Sequence, residues 1–174
     1  MKKVTMIFEK PELVLDVKHR AYLTAKSTTQ KSETPENDDN WLIDIANKED
    51  LTREPAGRFM NLAFMEAYTM CSSLVPDGKA GTDYVEGDRY TEVSNYIMKL
   101  EVCDEAKMHM VRTLQDLIHE FIVYKTLYLW CEMTSREHME VFGVRVEALK
   151  MQIKSAITPL QGSGGDRPLF PFGV

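Results

Sequence analysis

LQDLIHEFIVYKTLYLWCEMTSREHMEVFGVRVEALKMQIKSAI, Leu114 to Ile157, holds two apolar periods separated by a polar break at Thr134 and Ser135. Before the break, Met110, Leu114, Leu117, Phe121, Tyr124 and Tyr128 recur at steps of three and four, the spacing that stacks side chains on one helix face. Val111, Ile118, Ile122, Leu127 and Leu129 widen that stripe beyond a two-helix seam, so this helix is expected to be central and to touch several neighbours. After the break, Met139, Phe142, Val146, Leu149, Ile153 and Ala156 keep the same steps, and Arg145, Glu147, Lys150, Gln152 and Lys154 are left for water or a partner's charges. Thr134 with Glu137 reads as a capping box that starts the second helix almost without a loop. So short a connection predicts an antiparallel hairpin, Glu105–Met133 against Arg136–Thr158. Asp104 is the predicted N-cap of the first helix and Pro159 the predicted stop of the second.

Upstream of the hairpin, Tyr96, Met98, Leu100 and Val102 alternate with Ile97, Lys99 and Glu101, the period of two expected of a half-buried strand. PDGKAGTDYVEGDRY, residues 76–90, reads as an irregular loop. Thr52, with Pro55 in the first turn, opens a helix predicted to carry Phe59, Leu62, Ala63, Met65, Ala67, Met70 and Leu74. WLIDIA, from Trp41, reads as a short helix, and residues 27–40, STTQKSETPENDDN, as a polar, acidic, mobile loop. Pro11 opens a first helix with Leu13, Val17, Tyr22 and Leu23 loosely on one side, preceded by a short strand over Lys3–Phe8. Together these predict a mainly α fold: a helical bundle over residues 1–161 with a C-terminal antiparallel helix hairpin, a minor strand element and an extended tail over residues 162–174.

Composition bounds the function. The chain has 174 residues, 44% hydrophobic and 28% charged, enough for a real core. A net charge of −6 without clustered Lys and Arg argues against a nucleic-acid groove. MKKVTMIFEK is too weakly apolar for a signal-peptide core and no stretch approaches a membrane span, so a cytoplasmic protein is expected. Cys71, Cys103 and Cys131 are odd in number and widely spaced, which fits free thiols rather than a disulfide framework or a C-x-x-C metal site. The eleven methionines read as adaptable core filler.

Few residues carry even part of a catalytic pattern. Asp116 and His119 stand three apart, half of the carboxylate-x-x-His pattern of di-iron bundles, but a site also needs inward carboxylates such as Glu66, Glu120 or Glu132 on faces that are mainly apolar. His19, His109 and His138 lack a serine or cysteine partner in a recognisable context. From Asp38 to Glu49 the acids loosely imitate a calcium loop, but Ile43 replaces the required glycine and Leu42 a ligand. The glycines of GKAGTDYVEGD lack phosphate-loop spacing. No catalytic residue, metal ligand, cofactor or small-molecule substrate is therefore assigned.

The closing GSGGDRPLFPFGV, Gly162 to Val174, is the strongest candidate for partner binding. GSGG is a flexible tether, Pro168 and Pro171 restrict the conformations open to the last seven residues, and Leu169, Phe170 and Phe172 carry enough apolar surface to anchor in a groove. Folding back on its own domain is the alternative, but a spacer is unnecessary for a segment that only covers the adjacent core, so docking on a neighbour is expected.

The stretch Leu114–Ile157, with its Leu-Ile-His-Glu-Phe-Ile centre, aromatic end and terse turn into an amphipathic helix, resembles the terminal helical hairpin of small tailed-phage and prophage structural proteins of the head-tail connector, or neck, type. The resemblance implies a non-enzymatic assembly subunit that forms homo-oligomeric rings, with loops and termini reaching neighbours and a place in the virion. A metal-carboxylate bundle enzyme and a cellular helical adaptor for a protein partner are the competing readings.

Overall fold

The computed structural model describes residues 1–29, 56–76, 95–134 and 136–162. Their elements run β1 (Lys2–Glu9), α1 (Lys10–Thr29), α2 (Ala56–Met70), a 3-10 turn (Ser72–Leu74), β2 (Asn95–Val102), α3 (Met108–Thr134) and α4 (Arg136–Gln161). The fold is mainly α with one small sheet, as the periodicities predict.

α3 is the centre of the molecule. Its Val111, Leu114, Ile118, Phe121, Ile122, Val123, Leu127 and Cys131 are all buried, on a broad arc rather than a narrow seam. It packs against α1, α2 and α4. α4 turns back along it after a single residue. Tyr124 meets Phe142 and Glu120 meets Arg145, so residue numbers rise along one helix as they fall along the other, the register of an antiparallel pair. Gly143 makes room at this contact: a Cβ there would stand 3.3 Å from the Tyr128 ring. α4 presents Phe142, Val146, Leu149, Ile153, Ile157 and Leu160 to the core.

The ends of this hairpin differ from the sequence prediction. Asp104 does not cap α3, which begins at Met108. β2 holds the chain extended through Val102, Cys103 N–H then donates to Leu160 O at 2.9 Å, and the exposed Asp104 carboxylate pairs with the Met1 amine at 3.1 Å. Nor does Pro159 stop α4, which runs on to Gln161 and ends at Gly162, φ 79°. So near the helix end the proline removes one ladder bond only, to exposed Ser155. Burial of Leu160 and the bond to its carbonyl hold the last turn, and Gly162 supplies the left-handed conformation that closes it. The proposed capping box falls on Thr134 and Glu137, whose side chains lie outside the described residues.

β1 and β2 form an antiparallel two-stranded sheet, Phe8 opposite Tyr96, Met6 opposite Met98 and Val4 opposite Leu100. Alternation puts Met6, Phe8, Tyr96, Met98, Leu100 and Val102 on the buried face. A lone two-stranded ribbon is marginal in water, and this one gains its stability by covering helices. Phe64 of α2 stacks on Tyr96 at 4.9 Å and meets Phe8 edge-on at 6.3 Å, while Tyr96 Oη donates to Asn61. Gln115 Nε2 of α3 donates to Ile7 O at 3.1 Å.

The two N-terminal helices bury only part of the predicted faces: Leu13, Val17, Ala63 and Ala67 are inside as predicted, whereas Tyr22, Leu23, Leu62 and Met65 are not. α1 buries Leu13, Val17 and Ala21, a strict four-residue step, and leaves Tyr22 and Leu23 exposed. α2 buries Met60, Ala63, Phe64, Ala67 and then Cys71, with Leu62 and Met65 outside. Ala21 takes an inward place that the larger Tyr22 and Leu23 do not, so hydrophobic size misleads in α1. α1 continues through Thr29, which makes Ser27–Thr29 helical. The predicted loops over 30–40 and 77–90, the WLIDIA helix and the Thr52–Pro55 start lie outside the described residues.

Candidate interaction site

The last described residue, Gly162, marks where the tail leaves the bundle, and that point is firmly held. Cys103 fixes it from the β2–α3 connection through its N–H to Leu160 O at 2.9 Å and its Sγ–H to Pro159 O at 3.7 Å. A Cβ on Gly162 would come 3.0 Å from Cys103 Cβ, so glycine serves both the positive φ and the close approach. Beside this junction lies an open recess of about 410 Å³ lined by Cys103, Glu105, Lys107, Met110, Thr158, Pro159 and Gly162. Apolar stems and one lysine–glutamate pair of opposite charges dominate its wall. The predicted anchors Leu169, Phe170 and Phe172 lie outside the described residues.

Of the polar side chains that sequence reasoning weighed for chemistry, His119, Glu120 and Glu66 fasten helices. His119 Nε2 stands 2.8 Å from Asp16 Oδ2, tying α3 to α1, whereas Asp116 points outward and shares nothing with His119. Glu120 takes Arg145 Nη2 at 2.7 Å, tying α3 to α4. The Tyr124 ring lies between two guanidiniums, those of Arg20 and Arg145, each 5.6 Å from its centroid. Glu66 of α2 is clasped by Lys125 at 3.0 Å and Lys150 at 2.9 Å, so a single carboxylate joins α2, α3 and α4. Burial pulls the Glu66 carboxyl upward, but the hydrogen bonds and charges of Lys150 and Lys125 outweigh it and hold the group below 4.5. Lys150 is raised, chiefly by its hydrogen bond to Glu147 and in part by Glu66, against burial.

Among the described residues no three His, Cys, Asp or Glu side chains gather to hold a metal ion. Cys71 and Cys131 are buried free thiols pushed up to about 12 by burial, which makes them core filler rather than nucleophiles. No described helix is long and apolar enough to cross a membrane. The residues that sequence reasoning missed are Asp16, Arg20 and Lys125: each looks like an ordinary surface charge until the tertiary register brings its partner. Compared with protein-family models, curated proteins and solved structures, the chain matches none.

Proposed function

We propose that this chain is a non-enzymatic structural or assembly protein, a prophage head-tail connector-like subunit that acts in the cytoplasm and in the virion through self-association and tail docking. The observation that carries the reading is the fixed tail root. The apolar sequence Leu169–Phe172 follows a Gly-Ser stretch from a point pinned by Cys103, so a tail that docks in a neighbour's groove starts from a defined position. The Asp16–His119, Glu120–Arg145 and Glu66–Lys125–Lys150 contacts support it too, since they give a subunit stiff enough to transmit a docking geometry. Light scattering and electron microscopy of the full chain test the proposal. Oligomers or rings are expected, and deletion of residues 163–174 should weaken them while helical content and thermal midpoint hold. A truncated chain that melts at much lower temperature with its assembly intact would sink the docking role, because the tail would then belong to the subunit's own core.

A further inference from the structure

α4 carries two apolar stripes, and the hairpin uses one of them. On the side away from Phe142, Val146, Leu149 and Ile153 stand Val141, Val144, Ala148 and Met151, at steps of three, four and three. Val141 is 60% exposed, Val144 75% and Met151 70%. The outward side of a surface helix ordinarily carries charge, and an a/d spacing of this kind is the seam of a two-helix contact. Glu140, Glu147 and Lys154 border the stripe on one flank, with Arg145 and Gln152 on the other. Glu147 is balanced by Lys150 at 2.8 Å and Arg145 by Glu120 at 2.7 Å. Glu140 and Lys154 make no ion pair among the described residues.

We propose that this outer face of α4 binds a second copy of the chain, antiparallel about a two-fold axis at the level of Val146, an inference that rests on the self-association reading. In that register Val141 layers on Met151 of the second copy and Val144 on its Ala148, and symmetry repeats both layers across the axis. Glu140 then meets Lys154 of the second copy at each end, so these two charges, which form no ion pair among the described residues, find opposite partners. Glu147 and Arg145 face their own equivalents beside the axis, where Lys150 and Glu120 of the same subunit already offset their charge. A parallel pairing would leave Lys154 against Pro159 and set Glu140 on an Arg145 that Glu120 has taken.

Sedimentation equilibrium of the full chain decides it. Val144→Glu places a charge in the seam at a position that the folded subunit does not bury, so the thermal midpoint of the monomer should hold while the dissociation constant rises roughly tenfold or more. Glu140→Lys and Lys154→Glu should each weaken association, and the double variant E140K/K154E should restore it. Association unaffected by Val144→Glu but lost on deletion of residues 163–174 would overturn this seam and leave self-association by the tail standing. A wild-type chain that is monomeric at every concentration overturns both readings. If it is monomeric and deletion of residues 163–174 creates association, the stripe is covered by the chain's own tail and the proposal falls. A double variant no better than the single ones overturns the antiparallel register.

Discussion

The α3–α4 hairpin and the β1–β2 ribbon bury comparable kinds of surface but reach their registers by different routes. In the hairpin a one-residue turn sets the register, and Phe142 comes to Tyr124 within one local reversal of the chain. In the ribbon, Lys2 lies opposite Val102, and the alternation of each strand says only that it needs a partner, not which one. Local contacts cost little loop-closure entropy and form early, whereas the ribbon requires about half of the chain to be looped out before its first pair, Glu9 with Asn95, forms. The hairpin is therefore expected to be the autonomous part of the fold, and the ribbon the part that depends on α2 and α3 beneath it.

Three substitutions sharpen this contrast. Phe121→Ala removes a fully buried ring from the middle of α3 and should cost roughly 3–5 kcal/mol, seen as a large fall in thermal midpoint. A negligible shift would mean that α3 is not the common wall of the core. Met98→Ala empties a site under the ribbon where Met6 faces it across the sheet, and should cost about 2–4 kcal/mol. Its amide exchange should quicken in β1 and β2 more than in the hairpin; uniform quickening would show that the two regions unfold as one unit.

The smallest effect concerns the joint between the regions. Glu66→Gln leaves Lys125 and Lys150 without their shared carboxylate and should cost roughly 1 kcal/mol at neutral pH, since all three groups are partly solvated. The folded-state value of this carboxyl is below its ordinary 4.5, so its stabilising effect is present above that pH and is lost as pH falls through the folded value. The wild type should thus approach the variant's stability in acid, below about 4.5, and stand above it at neutrality. Denaturant titrations whose difference stays constant from neutral to acid pH would show that Glu66 fastens nothing.

Legibility divides along the same line. The steps of three and four in Leu114–Ile157 identified both long helices, their order and the buried residues Phe121, Phe142, Val146, Leu149 and Ile153, because a wide apolar stripe on each side of a terse break has few ways to bury itself. The second strand was legible as an alternation, the first only as a short strand over Lys3–Phe8. Tyr22 and Leu62 were misread as inward because periodicity gives a face but not its rotation; Ala63 and Ala67 were read correctly, while Ala21 is buried where Tyr22 was expected. Asp104 and Pro159 were misread as terminators because their local rules hold only where nothing stronger competes. There the competitor is Cys103, whose backbone bond to Leu160 belongs to no local motif.

The sequence by itself thus determined the helical hairpin, the half-buried strand at Tyr96–Val102 and the isolation of the cysteines, all of which depend on side-chain period or count within a single segment. Only the tertiary structure decided that β1 pairs with β2, that Glu66 joins three helices, that the tail root is tied to Cys103, and that α4 keeps a second apolar stripe in solvent. Those features are relations between segments far apart in the chain. Their free energies depend on which surfaces meet, and a one-dimensional pattern of residue types does not contain that choice.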